Sequence, residues 1–357
     1  MDLDKFFQRY PVTEKVLAAG VSGGADSLAL VYLLKEWADR QHKIIVALTV
    51  NHGLRPESGE EAEYVAELMK AAGIEHHILV WDGPKPANGI EEAAREARYG
   101  LLREWCETQG VKNLLIAHHS RDQAETFLMR LQRGSGVDGL AGMAPVSYRG
   151  ELKILRPLLE TKPEALRDYL REKNIRWVED PSNGSDDYLR VRIRKLLPEL
   201  EDKIGLTAER LSATAAQMGR VRDYLEKQSE KFIRSSGKNW SDCAYSLNCR
   251  EFAALHEEIA LRVLRGVLKK IGGRVYGPRL EDLQRLRQAL TAQDYRARTL
   301  SGCEILRQGN KIWIVPELKG AVKLSKQQWE DFCNLYPGYQ KLKLPYKLKL
   351  ALFQKQN

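Results

Sequence analysis

The six-residue segment Ser22-Gly23-Gly24-Ala25-Asp26-Ser27 carries the clearest chemical signal in this 357-residue chain. It follows a strand-like apolar run and precedes a helix-like run. Its glycines let backbone N–H groups approach phosphate oxygens, and the start of a helix adds partial positive charge. Ser22 and Ser27 can donate hydroxyl hydrogen bonds, while Asp26 can hold Mg²⁺. The segment therefore predicts an ATP-binding loop. The plainer interpretation is a glycine-rich turn with ordinary helix caps.

Polar side chains also follow the second and fourth strand-like runs. His52 lies after the second run, and His118 and His119 lie after the fourth, where each imidazole can contact phosphate or serve only a structural role. Asp122 and Glu125 are three residues apart, so they share one helix face near its amino end. These carboxylates are candidate metal ligands or general bases. The alternative is that Asp122 complements the helix dipole and Glu125 faces solvent.

Arginine and lysine side chains form two further groups. Arg95 and Arg98 lie on the helix after the third strand-like run, where they can reach an adenylate or RNA. Surface ion pairs with Glu91 or Glu92 are the alternative for these two arginines. The second group is dense enough to contact phosphates along an RNA stem, and it consists of Arg190, Arg192, Arg194 and Lys195. A solvated helix face would also explain this group.

The net charge of +9 is divided unevenly along the chain. Residues 1–150 hold 17 basic and 21 acidic side chains, a net charge of −4. Residues 151–357 hold 40 basic and 27 acidic side chains, a net charge of +13. This asymmetry is typical of a half that binds a polyanion joined to a near-neutral catalytic half.

Composition restricts the class of protein further. No two of the five cysteines are three residues apart, so we interpret them as reduced structural thiols rather than a metal or redox site. No stretch approaches the roughly 18 apolar residues of a membrane span. The first residues lack the pattern of a secretory signal. We therefore expect a soluble, cytoplasmic protein that does not contact a membrane.

Short apolar runs alternate with helical runs through the first 205 residues. The strand-like runs are residues 15–21, 44–50, 74–81, 111–118 and 152–155. The helical runs between them imply crossover connections, hence a parallel sheet covered by helices on both faces. Thr161-Lys162-Pro163-Glu164 has the capping-box pattern of a further helix start. Ligands bind at the carboxyl ends of such strands, so the loops after the first, second and fourth strands should hold the chemistry.

The remainder of the chain is predicted to be mainly helical. Residues 206–236 read as one long helix, and further helices are expected at 250–271 and 279–290. Residues 304–315 resemble a hairpin that turns at Gly309-Asn310. From Gly338 the lysine-rich end is either a strand-rich edge or a solvated tail. The predicted organisation is a Rossmann-like α/β catalytic domain at 1–205, a linker helix at 206–240, and a mainly helical RNA-binding domain with a small β element at 241–357.

The glycine-rich loop resembles that of the ATP pyrophosphatase (PP-loop) superfamily, whose members cleave ATP between the α and β phosphates and pass AMP to a carbonyl-like oxygen. Five further segments together resemble the tRNA(Ile)-lysidine synthetase family, over about residues 15–200: residues 50–55, 94–99, 117–126, 133–136 and 139–143. Two positions depart from the family pattern. Arg121 stands where the family often has a second acidic residue, and Arg190-Val191 stands where it usually has Arg-Asn. Position 121 is therefore unsuited to a metal role, and one tRNA contact lacks its usual residue.

The resemblance implies a reaction and a set of partners. The O2 atom of the wobble cytidine in tRNA(Ile) with a CAU anticodon would attack the α phosphate of ATP, and the ε-amine of free L-lysine would then displace AMP at C2. ATP and Mg²⁺ are the implied cofactors, and a homodimer is among the assembly states that the sequence leaves open. A thiolation enzyme of the same superfamily and a nucleotide-gated RNA-binding protein are the alternatives. Paired cysteines, which cluster or persulfide routes require, are missing.

The same resemblance distributes roles over the candidate residues. Residues 22–27 would hold the ATP phosphates, and Asp26 and Asp122 would hold the metal. Asp122 and Glu125 could also bind and deprotonate the lysine ammonium. The residues expected to contact the adenylate or the RNA are Arg55, Arg95, Arg98, Arg190, Arg192, Arg194 and Lys195.

Overall fold

A computed structural model describes residues 2–54, 56–86, 88–179, 189–274, 277–292, 294–317, 323–340 and 342–356. The chain divides into two compact units, Met1–Arg220 and Val221–Asn357. The division lies inside the segment 206–240 that the sequence marks as a linker helix. No helix in the described ranges is long and apolar enough to cross a membrane.

A six-stranded sheet forms the centre of the first unit in the described residues, with the strand order β3-β2-β1-β4-β6-β5. Its strands are β1 (Val16–Gly20), β2 (Ile44–Asn51), β3 (Glu75–Val80), β4 (Asn113–Leu115), β5 (Val146–Arg149) and β6 (Leu152–Leu155). Every neighbouring pair is parallel except β5 and β6. The predicted Rossmann-like parallel sheet is confirmed, and its strand ends meet along one edge.

Helices cover both faces of this sheet, with α1 (Leu3–Arg9), α2 (Ala25–Arg40), α3 (Ser58–Ala71) and α7 (Pro163–Glu172) on one face and α4 (Ile90–Thr108) on the other. The other helices that begin in the first unit are α5 (Ser120–Gln132), α6 (Val137–Leu140), α8 (Leu189–Ile204) and α9 (Ala208–Ser236), and α5 packs with α8 and the first turns of α9. Successive strand residues face opposite sides, so Leu17 packs with α2, α3 and α7, whereas its neighbour Ala18 packs with α4. Both residues are fully buried. This explains why the strands read as unbroken apolar runs.

Two features of the first unit differ from the sequence prediction. The antiparallel edge strand β5 was not predicted, and it joins β6 through a tight turn at Gly150, where φ is +61°. The prediction of a capping box at 161–164 was wrong, because the N-cap of α7 is Lys162, which makes no side-chain cap hydrogen bond. Pro163 explains this, since a proline excludes the preceding residue from helical geometry and itself favours the first helical position.

The second unit contains a five-stranded sheet in the described residues, with the order β7-β8-β11-β10-β9. Its strands are β7 (Gly237–Trp240), β8 (Ala244–Asn248), β9 (Arg298–Leu300), β10 (Cys303–Gln308) and β11 (Lys311–Pro316). The helices are α10 (Cys249–Ala253), α11 (Glu257–Gly272), α12 (Leu280–Thr291), α13 (Lys326–Leu335) and α14 (Tyr346–Gln356), with a 3-10 turn at Pro337–Tyr339. The predicted hairpin is confirmed, since β10 pairs antiparallel with β11 around Gly309-Asn310.

Of two other predictions for the second unit, the helix at 250–271 is confirmed except at residues 254–256, and the prediction for the lysine-rich end was wrong. Residues 250–271 form two helices, because the His256 side chain accepts a hydrogen bond from the Glu258 N–H and starts α11 afresh. The lysine-rich end is neither a strand nor a solvated tail. It forms α14, in which Leu348 and Leu352, four residues apart, are fully buried against Trp313.

Candidate functional site

The carboxyl ends of β1, β2 and β4 open into one cavity of about 780 Å³, here called the strand-end cleft. Its volume lies in the range of small-molecule sites. Ten predicted site residues line it: Ser22, Gly24, Asp26, Ser27, His52, Arg95, Arg98, His118, Asp122 and Arg190. Gly23, Ala25, Glu125, Arg192, Arg194 and Lys195 are not among the lining residues, and Arg55 lies outside the described residues. The fold therefore brings most of the predicted site together.

Hydrogen bonds within the loop fix its shape. The Ser22 N–H donates to the Ser27 hydroxyl at 3.0 Å, and that hydroxyl donates to the Gly24 carbonyl at 2.9 Å. The Gly23 carbonyl in turn accepts from the Val178 N–H at 2.9 Å. Gly23 has φ +82°, a left-handed conformation that favours glycine, whereas Gly24 has φ −72° and lines the cleft. Gly23 is therefore required for the backbone conformation of the loop, whereas Gly24 leaves space in the cleft.

Alanine substitutions should distinguish the structural role of Gly23 from the ligand-binding role of Gly24. Gly23→Ala places a methyl group at positive φ and 3.1 Å from Val65, so the free energy of unfolding should fall by about 1–2 kcal/mol. Gly24→Ala meets only Ser22 Oγ at 3.7 Å and should leave stability unchanged, yet it should weaken ATP binding because its methyl group enters the cleft. Urea unfolding and ATP titration measure both effects. Equal loss of stability in the two variants would contradict the assignment.

His119 connects the two carboxylates that were predicted to hold a metal. Its Nε2 lies 3.3 Å from Asp26 Oδ2, and its Nδ1 lies 3.4 Å from Asp122 Oδ2. His119 is also the N-cap of α5, where its N–H donates to Asp122 Oδ2 at 3.1 Å. Burial lowers the pKa of His119, but the hydrogen bond to Asp26 and the charge of Asp122 outweigh it, so the pKa lies above its ordinary value. Asp26 and Asp122 are thus held on either side of the His119 ring.

The same carboxylates fit a magnesium ion. Asp26 Oδ1 is buried and has no hydrogen-bond partner in the described structure, so one oxygen is available to a cation. Among the described residues no group of three or more His, Cys, Asp or Glu side chains is arranged to hold a metal. Mg²⁺ suits such a site, because it is commonly held by one or two carboxylates together with substrate phosphates and water.

His52 and His118 are both kept uncharged. Burial, followed by the charges of Arg98 and Lys85, lowers the pKa of His52. Burial and the guanidinium of Arg156 hold the pKa of His118 well below its ordinary value. The Nδ1 atom of His52 is buried without a partner in the described structure. In the cleft, the neutral imidazole is therefore the favoured form of both His52 and His118.

Cationic side chains form another part of the cleft lining. The guanidinium carbons of Arg95 and Arg98 each lie 5.4 Å from the ring centroid of buried Tyr99, and both side chains line the cleft. The Arg98 Nε atom is buried without a hydrogen-bond partner. Arg190 reaches the cleft from α8. A cavity lined by three arginines and by the three carboxylates Asp26, Glu61 and Asp122 suits a phosphate group accompanied by a metal cation.

Glu125 occupies a place that the sequence did not indicate. Its side chain is fully buried, which excludes the alternative of a solvated carboxylate. The Nε–H groups of Arg190 and Arg194 donate to its two oxygens, each at 2.8 Å. Glu125 therefore joins α5 to the basic helix α8. Two arginines expected to contact RNA are engaged by this carboxylate, and the side chain of Arg192 is exposed on the same helix.

Arg156 was missed as a candidate residue. It follows β6 directly, and its Nε–H donates to His118 Nδ1 at 3.3 Å. The rule that placed chemistry at strand ends would have found it, because Leu152–Leu155 was predicted to be a strand. The sequence prediction placed the chemistry only at the ends of the first, second and fourth strands.

Comparison with known proteins agrees with this geometry. Residues 1–200 match the PP-loop domain family, which places the chain in the class of ATP-binding PP-loop proteins. A tRNA(Ile)-lysidine synthase from Wolbachia pipientis wMel is 40% identical over 305 residues, covering 84% of this chain and 70% of that protein. Another from Ruegeria pomeroyi is 39% identical over 313 residues, covering 87% of this chain and 74% of that protein. The chain belongs to the tRNA(Ile)-lysidine synthase family.

A solved structure shares the fold. The U34-tRNA thiolase NcsA from Methanococcus maripaludis, with its [4Fe-4S] cluster, aligns with a TM-score of 0.51 at 19% identity. The alignment covers 63% of this chain and 77% of the thiolase. At this identity the likeness concerns the fold alone.

Proposed function

We propose that the protein attaches free L-lysine to C2 of the wobble cytidine in the CAU anticodon of tRNA(Ile), with conversion of ATP to AMP and pyrophosphate. It is then a ligase that forms a carbon–nitrogen bond. In the first step the cytidine O2 attacks the α phosphate and pyrophosphate leaves. In the second step the ε-amine of lysine attacks C2 and AMP leaves.

One observation supports this reaction above all others. A loop suited to phosphate, the linked carboxylates Asp26 and Asp122, and cationic side chains from α4 and α8 line a single cleft. Adenylation requires these groups together, because negative charge grows on the α phosphate and on the departing pyrophosphate. Mg²⁺ held by Asp26 and Asp122 would neutralise phosphate charge there. Family membership supports the choice of tRNA and lysine.

Residues of the loop and of α4 perform the first step. Gly24 lets the phosphates lie close to the backbone at the amino end of α2. Arg95 and Arg98 stabilise the charge that develops on oxygen. Because these groups are fixed by the fold before ATP binds, little reorganisation is required as the transition state forms.

Asp122 is the better candidate for receiving the proton of the lysine ammonium in the second step. It lines the cleft, whereas both oxygens of Glu125 already accept hydrogen bonds from arginines. We therefore propose that Glu125 orients Arg190 and that Asp122 meets the amine. The sequence had left the lysine role open to both residues.

A single assay tests the reaction. The full chain is incubated with ATP, Mg²⁺, radiolabelled lysine and unmodified tRNA(Ile) that bears a CAU anticodon. We expect label in the RNA, and AMP and pyrophosphate in equal amounts. Methionine tRNA with the same anticodon is the control and should stay unlabelled. Nucleotide-dependent RNA binding without label would support the non-catalytic alternative and contradict the proposal.

A sulfur nucleophile is less well supported by the cleft. None of its lining residues in the described chain is a cysteine, and Cys106, Cys243, Cys303 and Cys333 are buried elsewhere. A thiolation reaction would need an external sulfide in this setting. Incorporation of sulfur in place of lysine in the same assay would overturn the proposed nucleophile.

Arg192 provides a test of the basic helix. Val191 and Ile193 on either side of it are buried, while Arg192 is exposed and directed away from that packing. If it contacts an RNA phosphate, Arg192→Glu should weaken tRNA binding and lower the slope of log affinity against log salt by about 1. Filter binding across a salt series measures both quantities.

Lys70→Glu is the matched control for that experiment. Lys70 is exposed in the last turn of α3, at the edge of the sheet opposite the strand-end cleft. Lys70→Glu makes the same change of net charge as Arg192→Glu. Because Lys70 lies away from the cleft, this variant should leave the salt dependence of tRNA binding unchanged. If both variants behave alike, a general charge effect is responsible and Arg192 is not in the interface.

A further inference from the structure

Arg156 and His118 are brought together by strand order. β4 and β6 are parallel neighbours, with Leu115 opposite Leu155 in the register. Arg156 follows β6 immediately and His118 lies just beyond β4, so both side chains emerge at the same edge. The Nε–H of Arg156 donates to His118 Nδ1 at 3.3 Å.

The guanidinium of Arg156 is itself firmly held. Its Nη1 donates to the Ala144 carbonyl at 3.0 Å and to the Ser147 hydroxyl at 2.9 Å. Ser147 belongs to the antiparallel edge strand β5. The Arg156 N–H also donates to the Pro145 carbonyl at 2.9 Å. These contacts fix the direction of the Nε–H bond of Arg156. The orientation of the His118 imidazole is therefore determined by the arginine.

The hydrogen bond determines where the imidazole carries its proton. A guanidinium has donors but no acceptor, so His118 Nδ1 must be the acceptor and be unprotonated. The proton of the neutral ring then lies on Nε2. Nδ1 faces Arg156, and the described structure gives Nε2 no protein partner, although His118 lines the strand-end cleft.

The surroundings favour the neutral ring. His118 is 8% exposed. The charged groups that face it are Arg156, directly after β6, and Arg98, Arg95 and Arg190, which lie on α4 and α8. Burial and this positive field together keep the pKa of His118 well below its ordinary value. The imidazole is therefore unsuited to accept a proton during the reaction, and its remaining capability is donation from Nε2.

We propose that Arg156 is a positioning residue that fixes His118 as a neutral imidazole whose Nε2–H donates to an anionic oxygen of the nucleotide in the strand-end cleft. The class of acceptor rests on the proposed function, because adenylation gathers negative charge on phosphate oxygens. The placement of the proton does not rest on it. His118 would thus act as a fixed hydrogen-bond donor, a role that the sequence could not distinguish from acid–base catalysis.

The proton position can be observed directly. In ¹⁵N-histidine-labelled full-length protein, two-bond ¹H–¹⁵N correlation spectra distinguish Nε2–H, Nδ1–H and imidazolium forms, and the His118→Gln spectrum identifies the His118 signals. We expect the Nε2–H form in the wild type at neutral pH. Arg156→Lys keeps the charge but removes the planar Nε–H donor, so the fixed tautomer should be lost.

Arg149→Lys is the matched control for the spectra. It makes the same change at the end of β5, where Arg149 pairs with Glu96 at 3.2 Å. The His118 tautomer should be unchanged in this variant. An Nδ1–H or imidazolium form in the wild type, or an unchanged His118 spectrum in folded Arg156→Lys, would overturn the proposal.

Two variants of His118 give a second measurement that does not depend on the folding of Arg156→Lys. The amide nitrogen of glutamine can take the place of Nε2, whereas the shorter asparagine cannot reach it. Loss of a fixed donor to a developing charge commonly lowers kcat about 10²–10³-fold. We expect the kcat of His118→Asn to fall by that amount, with KM for ATP little changed. The kcat of His118→Gln should fall by less than about tenfold.

The outcomes distinguish this proposal from the proposed function. If the protein does not adenylate tRNA, the tautomer in the spectra stands and only the acceptor is reassigned. If glutamine and asparagine at position 118 reduce kcat equally, the donor role of Nε2 is wrong even where lysine transfer is confirmed.

Discussion

Replacement of Asp26 by alanine is expected to abolish tRNA-dependent exchange of pyrophosphate into ATP. Asp26 lies in the first turn of α2, and one of its oxygens is buried without a partner, so a metal held there loses a ligand that nothing nearby replaces. Removal of a fixed electrostatic contact to the reacting phosphate lowers kcat about 10²–10³-fold, and the simultaneous loss of the metal should bring the rate to background. Radiolabelled pyrophosphate exchange measures the effect.

Asp39→Ala is the control on the same helix. Asp39 lies in the last turn of α2, exposed, and pairs with Lys35 at 2.6 Å. It should exchange pyrophosphate at the wild-type rate. Asp26→Ala should also stay folded, because what is lost is the contact with His119 at 3.3 Å and a favourable interaction with the helix dipole of about 1 kcal/mol or less. Exchange near the wild-type rate in Asp26→Ala would exclude Asp26 from the reaction.

The sequence predicted the parallel sheet because burial on both faces makes the inner strands β1 and β2 nearly unbroken apolar runs. β1 and β2 are short and bounded by polar turns, so their positions were evident without knowledge of pairing. β5 was not, since its residues Val146–Arg149 are at most half-buried at the sheet edge. An edge strand is specified by its partner, and the partner is set only when the chain folds.

The site was predictable to the extent that it depends on local sequence. Residues 22–27 and the carboxylate Asp122 lie at strand ends, so topology alone placed them together. The contacts of Glu125 were not predictable, because Arg190 and Arg194 are 65 and 69 residues away along the chain. A helix-face argument fixes which residues are neighbours on α5, but it does not show which other helix covers that face.

Glu125→Ala is expected to lower the free energy of unfolding by about 3 kcal/mol, because it leaves two guanidinium groups without their acceptor. The arginines remain about one-third exposed, at 34% for Arg190 and 36% for Arg194, so water recovers part of the loss and the value should lie at the lower end for buried ion pairs. Urea unfolding followed by tryptophan fluorescence measures it. Glu125→Gln, which keeps one acceptor oxygen without the charge, should lie in between.

Glu164→Ala separates this effect from the loss of any glutamate–arginine pair. Glu164 contacts Arg121 at 2.7 Å, a distance as short as those at Glu125, but both side chains of this pair are exposed. Exposed pairs contribute about 0–1 kcal/mol, so this control should change stability little. Glu125→Ala should in addition reduce lysine transfer, because Arg190 lines the strand-end cleft and loses the group that orients it. If the two variants were equally stable, burial would not distinguish the pairs, and the link between α5 and α8 through Glu125 would be of no energetic consequence.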